Sequence, residues 1–161
     1  MVFQRIRDVN FKLKPTKVCH FQWEIKFLGH SISAQGVAMD TSKTDEILNW
    51  HSPRSVSEVR TFMGLCSYYR RYVQGFVRIT GPLHKLTKAY APFVWAERQQ
   101  TAFETLEAAR MSAPILTMSQ DEGTFVLDVD ASDLAVGAVL LQTQGEELRV
   151  IGYASRIFQC V

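Results

Sequence analysis

Two carboxylates, Asp128 and Asp130, lie two residues apart in the run Phe125-Val-Leu-Asp-Val-Asp-Ala-Ser-Asp133. Side chains alternate along a strand with period 2, so both aspartates point to the same face of the strand that this apolar alternation predicts. A carboxylate in the middle of a half-buried strand is costly unless something compensates it, and a divalent cation is the usual compensation. After a small turn at Ala131, Ser132 and Asp133, a second apolar run, Gly137-Ala-Val-Leu-Leu-Gln142, follows at once, which makes the pair read as the start of a sheet. Asp133 reads as a turn residue, Asp128 as a surface or sheet-edge residue and Gln142 as a polar group at a sheet end.

A second constellation is Arg60, Gly64 and Tyr68, spaced i, i+4, i+8 inside Arg60-Thr-Phe-Met-Gly-Leu-Cys-Ser-Tyr-Tyr-Arg-Arg-Tyr72. That spacing places all three on one helix face, beside the apolar stripe and not within it. Glycine inside a helix costs about 0.5–1 kcal/mol relative to alanine, so its presence asks for a reason. Spacing alone leaves two open. A neighbouring helix packing closely is the commoner one; a duplex groove meeting a flat strip of Arg, Gly and Tyr is the other. Arg70 and Arg71, just beyond, read equally as phosphate contacts or as a solvated helix end.

The elements that must position these groups follow from periodicity and punctuation. Lys12, Lys14 and Lys17 around Pro15 form a loop leading into Phe21 to Ser33, an alternating segment that breaks at Gly29 into a strand pair with a tight turn. Gly36 marks a further turn. Asp40 or Thr41 caps a short helix through Ile47 to Trp50 that Pro53 ends, and Ser55 or Ser57 opens a longer helix with an apolar stripe through Val56, Val59, Met63 and Cys66. Gly75 and Gly81-Pro82 punctuate the pattern, leaving Leu83 to Lys88 as a short helical turn. Pro92 to Trp95 anchors an aromatic, Glu97 to Met111 is a helix, and strands are expected at 124–130, 136–142 and 149–154 around a turn at Gly145.

The 161 residues, 47% hydrophobic and 21% charged, describe a folded chain, and no apolar run reaches membrane-spanning length. With no signal-peptide core at the N-terminus, cytoplasm or nucleus is the expected compartment. Three cysteines without C-x-x-C spacing indicate neither a disulfide framework nor a zinc site, and the four histidines have no ligand spacing. The net charge of +2 hides a division: residues 1–90 hold fourteen Lys/Arg against six Asp/Glu, residues 91–161 four against ten. A basic half suits phosphate backbone and an acidic half suits metal ions, although a scatter of solvated charge fits as well.

Five motifs occur in order: Lys14-Pro-Thr-Lys17-Val-Cys19-His-Phe, Phe27-Leu-Gly-His30, Phe62-Met-Gly-Leu-Cys-Ser-Tyr-Tyr-Arg-Arg-Tyr72, Gly81-Pro-Leu-His-Lys-Leu86 and Phe93-Val-Trp95. Together with the strand pair at Asp130 they resemble the Pol polyprotein of gypsy-type retrotransposons, from the end of the reverse transcriptase palm into ribonuclease H. The resemblance runs from about residue 5 to residue 158. It implies an α+β fold: a helical thumb-like region preceded by a small β-hairpin and followed by the first three antiparallel strands of a truncated ribonuclease H-like α/β domain. The divisions it implies are 1–38 (palm end with a primer-grip-like hairpin), 39–90 (thumb) and 91–161 (connection and ribonuclease H-like strands).

By the same resemblance, Phe27, Leu28, Gly29 and His30 form the primer grip, and Arg60, Gly64 and Tyr68 lie along the minor groove of a template–primer duplex or RNA–DNA hybrid. Arg70 and Arg71 become phosphate contacts, and the groove replaces helix packing as the favoured reason for Gly64. Asp130 becomes the first ribonuclease H metal carboxylate, for Mg2+ or Mn2+ in a complete enzyme, with Val129 where the family usually has Thr. Met63 stands where Leu is usual. The paired aspartates of the polymerase do not occur in this sequence, and the resemblance places them upstream of Met1 and the helix bearing the next ribonuclease H glutamate beyond Val161. The expectation is a polyprotein fragment, inactive alone and free of tightly held metal, whose missing segments are its natural partners. A domesticated interaction module is the alternative. Oligomeric state leaves no signal in the sequence.

Overall fold

The computed structural model describes residues 2–40 and 50–158. The short helix expected before Trp50 falls on residues 41–49, outside the described residues. Four helices are described: α1 (Val2–Asp8), α2 (Val56–Tyr68), α3 (Phe76–Leu86) and α4 (Glu97–Met111). They accompany two antiparallel three-stranded sheets, β1 (Glu24–Phe27), β2 (His30–Ser33) and β3 (Gly36–Met39) in one, β4 (Phe125–Ala131), β5 (Ala135–Gln144) and β6 (Glu147–Ile157) in the other. The fold is α+β, as the resemblance implies. The first sheet gains a strand over the expected hairpin, because the turn read at Gly36 opens β3, which pairs with β2 from Ser33↔Gly36 to His30↔Met39.

Helix α2 starts where its capping chemistry dictates. The Ser55 hydroxyl accepts the Glu58 N–H at 3.2 Å, and the Glu58 carboxylate turns back to accept the Arg54 N–H at 2.9 Å. This resembles a capping box, with the Glu58 carboxylate reaching one residue beyond the N-cap. Val59, Phe62 and Met63 on its inner face meet Phe76, Leu83 and Leu86 of α3 and Ala102, Phe103 and Leu106 of α4. Trp95 flanks this core, its indole donating to Gln100 Oε1 at 2.8 Å. Gly81 and Pro82 do not break α3, contrary to the sequence expectation. Pro82 has no N–H for the Arg78 carbonyl, but burial of Phe76, Thr80, Leu83 and Leu86 along one face holds the helix through that gap.

A strap joins the two sheets. Leu116 exchanges both backbone hydrogen bonds with Val37 of β3 (2.7 and 2.9 Å), and the next residue, Thr117, donates to Val150 of β6 at 2.8 Å. Leu116 is fully buried with Met39, Tyr69 and Tyr72 in a second, smaller core that touches Val150 and Tyr153. Gly36 is required at the crossing: its φ is +135°, and a Cβ there would stand 2.3 Å from the Leu116 carbonyl oxygen. Gln142 is a buried anchor and not an exposed sheet end. Its amide donates to the Gln120 and Glu122 carbonyls and accepts from the Gln120 N–H, all at 2.9 Å, which fastens the segment before β4 to β5.

Candidate nucleic-acid interface

The turn between β1 and β2 is two residues long, since Phe27 pairs with His30. Leu28 and Gly29 both have positive φ, +48° and +73°, the sign pattern of a type I′ turn, whose twist matches that of the flanking strands. Glycine takes this conformation freely, whereas leucine in the left-handed region carries strain of roughly 1–2 kcal/mol. The end of α2 and the 3-10 turn Arg70–Tyr72 hold that tip in place. The Tyr68 hydroxyl donates to the Leu28 carbonyl, the Tyr69 hydroxyl to the Gly29 carbonyl at 3.3 Å, and the Tyr72 hydroxyl pairs with His30 Nδ1 at 3.0 Å.

The His30 ring stacks on Tyr68 at 5.4 Å between centroids and meets the edge of Tyr69 at 6.0 Å. Burial, with the Arg71 guanidinium adding to it, holds the His30 pKa below its ordinary 6.5, so the ring is neutral at neutral pH. Burial likewise raises the pKa of the Tyr72 hydroxyl, which keeps its proton. On the other side of the tip, Gly29 O also accepts the Asp40 N–H at 3.0 Å, and Asp40 ion-pairs with Lys26 at 2.8 Å.

Phe27 and Leu28 therefore project outward, 58% and 70% exposed, while the tip backbone is pinned from behind. Tyr68 is half exposed beside them, and the exposed face of α2 continues through Gly64 to Arg60. No described atom would lie within 4 Å of a Cβ added at Gly64, so close helix packing does not account for this glycine among the described residues. Arg60 reaches across to the Thr87 carbonyl at 3.2 Å. The two following arginines differ in use: Arg71 donates to the Ile151 carbonyl of β6 at 3.3 Å, and Arg70 is exposed without a side-chain hydrogen bond among the described residues.

Asp130 belongs to a different part of the surface. It faces Gly137 across the β4–β5 ladder, and Asp128 faces Val139 on the same side of the sheet. Both line an open cleft of about 420 Å³ whose far wall is the start of α3, with Gly75, Val77 and Arg78; there the Val77 N–H donates to the Ser155 hydroxyl at 3.2 Å. The strand is exposed except at the partly buried Val126, not half-buried as the alternation suggests, because among the described residues nothing buries the face that carries Phe125, Leu127 and Val129. Among the described residues no three His, Cys, Asp or Glu side chains converge in a way that could hold a metal ion. The donor set among the described residues does not complete a metal centre.

Two contributors carry little or no signal in the sequence. Tyr72 is visible there only as part of a motif, although its i+3 offset from Tyr69 already puts the two on one side of a helical turn. Arg78 has no telling spacing, and only the fold brings it opposite Asp128 and Asp130.

Known proteins show the same combination of folds. Residues 95–160 match the family model of the RNase H-like domain found in reverse transcriptase. The chain is 34% identical over 157 residues to the retrovirus-related Pol polyprotein from transposon 412 of Drosophila melanogaster, and 31% identical over 155 residues to the transposon Tf2-3 polyprotein of Schizosaccharomyces pombe. These alignments cover 98% and 96% of this chain but 13% and 12% of those polyproteins. Among solved structures, the foamy viral protease-reverse transcriptase in complex with dsDNA superposes with a TM-score of 0.80 and 26% identity, over 98% of this chain and 33% of that one. The same enzyme in complex with an RNA/DNA hybrid gives 0.78 over 98% and 22%. The chain is thus a homologue of the reverse transcriptase/RNase H-like region of Ty3/gypsy-type retrotransposon Pol polyproteins. RNase H-like domains generally use divalent metal ions. Among the described residues no helix is long and apolar enough to cross a membrane.

Proposed function

We propose that this chain is the duplex-holding segment of a retroelement reverse transcriptase, grasping a template–primer duplex or RNA–DNA hybrid and presenting one carboxylate, Asp130, for ribonuclease H chemistry. The observation that carries the reading is the open strip running from the exposed Phe27 and Leu28 of the hairpin tip past Tyr68 to Gly64 and Arg60, with Gly29 and the half-buried His30 behind it holding the tip in place. Its helical glycine has no neighbour within 4 Å of an added Cβ among the described residues, which supports close approach by a nucleic-acid backbone. A duplex minor groove needs a flat, hydrogen-bonding strip of this kind, flanked by cations for phosphate, and Arg70 and Arg71 lie at its end.

Within this reading, residues 1–38 form the end of the palm with the grip hairpin, 39–90 the thumb, and 91–161 the connection and the RNase H-like strands. Asp130 is the carboxylate that this reading assigns to a Mg2+ or Mn2+ ion. A nucleic-acid partner of this type puts the work in the cytoplasm or nucleus.

The test is anisotropy of a labelled RNA–DNA hybrid titrated with the purified chain between about 50 and 200 mM salt, the range over which phosphate-bound proteins lose most of their affinity. Binding that weakens with salt is expected, and changing Arg60 or Arg70 to Gln should lower the log–log slope by about 0.9 for each phosphate no longer neutralised. No binding at the lowest salt would remove the proposal.

A further inference from the structure

Three consecutive residues of the β1–β2 tip each receive one tyrosine hydroxyl: Leu28 from Tyr68, Gly29 from Tyr69 and His30 from Tyr72. We infer that Tyr68, Tyr69 and Tyr72 are positioning residues which, with His30, clamp the hairpin tip to the end of α2. The tip and the Arg60–Gly64 face then form one rigid surface. The importance of that surface rests on the proposed function; the clamp itself does not.

The geometry separates a clamp from ordinary packing. Tyr69 and Tyr72 are buried, but Tyr68 is 53% exposed, and greasy burial alone would not draw a half-exposed ring over a backbone carbonyl. The Tyr68 hydroxyl meets a turn carbonyl with no partner in the hairpin ladder, and the Tyr69 hydroxyl adds a second donor to the Gly29 carbonyl, which already accepts the Asp40 N–H. Close fit is enforced as well: a Cβ at Gly29 would stand 3.1 Å from the Tyr69 hydroxyl and 3.4 Å from the Tyr68 ring. These contacts offset the cost of the left-handed Leu28, a conformation that a two-residue turn requires at its first position. A tip so held meets its target in a preset orientation, without losing loop freedom on binding.

His30 makes the clamp readable. It is packed by Tyr68 and Tyr69 from α2 and by Tyr72 and Arg71 from the 3-10 turn, with the Lys26–Asp40 ion pair on the sheet side of the tip. A proton on His30 adds a cation to a half-buried site already facing a guanidinium, so acid should loosen the tip before it unfolds the helical core.

Amide hydrogen exchange of segment 24–33, corrected for intrinsic rates, tests this in the full chain between pH 7.5 and 5.5. The wild-type tip should exchange faster as pH falls. Tyr72→Phe should raise tip exchange roughly 2- to 10-fold at neutral pH, the equivalent of one ordinary hydrogen bond. His30→Asn, which keeps an acceptor near the Nδ1 position and does not titrate, should flatten the pH dependence. Tyr68→Phe gives a second reading if Tyr72→Phe fails to fold. Tip exchange equal to wild type in the variants, or a change spread evenly through α2–α4, overturns the clamp. A loosened tip in a protein that never binds hybrid would leave the clamp standing and remove the proposed function instead.

Discussion

The hairpin tip and the carboxylate strand β4 both carry functional groups on β-structure, and they are supported in opposite ways. At the tip, both turn carbonyls and the one imidazole have a named partner on a neighbouring element, and those bonds help hold the left-handed leucine that the two-residue turn requires. Asp128 and Asp130 stand on an exposed edge strand with no side-chain hydrogen bond or ion pair among the described residues. The tip, which must present a shape, is built with a supporting shell from a neighbouring element. The two carboxylates, without such support among the described residues, stay open on the cleft.

The difference can be attacked from either side. The largest effect is expected at the strap behind the tip: Gly36→Ala drives a Cβ into the Leu116 carbonyl and forces an unfavourable φ, and should cost about 2–4 kcal/mol in denaturant melts. A cost under about 0.5 kcal/mol would mean the strap yields easily. Next comes Leu116→Ala, which empties a fully buried site in the small core and should cost about 2–4 kcal/mol, detaching the first sheet before the helices melt.

A smaller effect is expected from pH. His30 in the folded chain titrates below its unfolded value of 6.5, so the unfolded chain takes up the proton first. Its contribution to stability is complete above 6.5 and declines as pH falls through that value toward the folded pKa. His30→Asn should remove this component from a stability–pH profile, and an unchanged profile would show that His30 does not contribute it. The smallest effect belongs to Asp130→Asn, which disturbs no hydrogen bond or ion pair among the described residues and should move Tm by no more than about 2 °C. A larger loss would reveal a structural role for the carboxylate and blur the contrast with the tip.

Much of this is legible residue by residue. Ser55 with Glu58 announces the start of α2, the spacing of Val59 and Met63 its buried face, Gly29 the tight turn and Gly145 the β5–β6 turn, because capping, helical periodicity and positive φ are local constraints that a sequence writes directly. The alternation around Asp130 announces a strand and the shared face of Asp128. Nothing local announces that Gly81 and Pro82 lie inside a helix, that β4 is exposed on both faces, or that Gln142 is buried. Each of those depends on which other element arrives at the same place. The pairing of Tyr68, Tyr69 and Tyr72 with Leu28, Gly29 and His30 joins residues some forty positions apart, and so does the choice of Arg71 for Ile151 over solvent, at eighty. Helices and turns are set by neighbours along the chain; the interface is set by packing, since only a closed core brings distant hydroxyls and carbonyls within hydrogen-bonding reach.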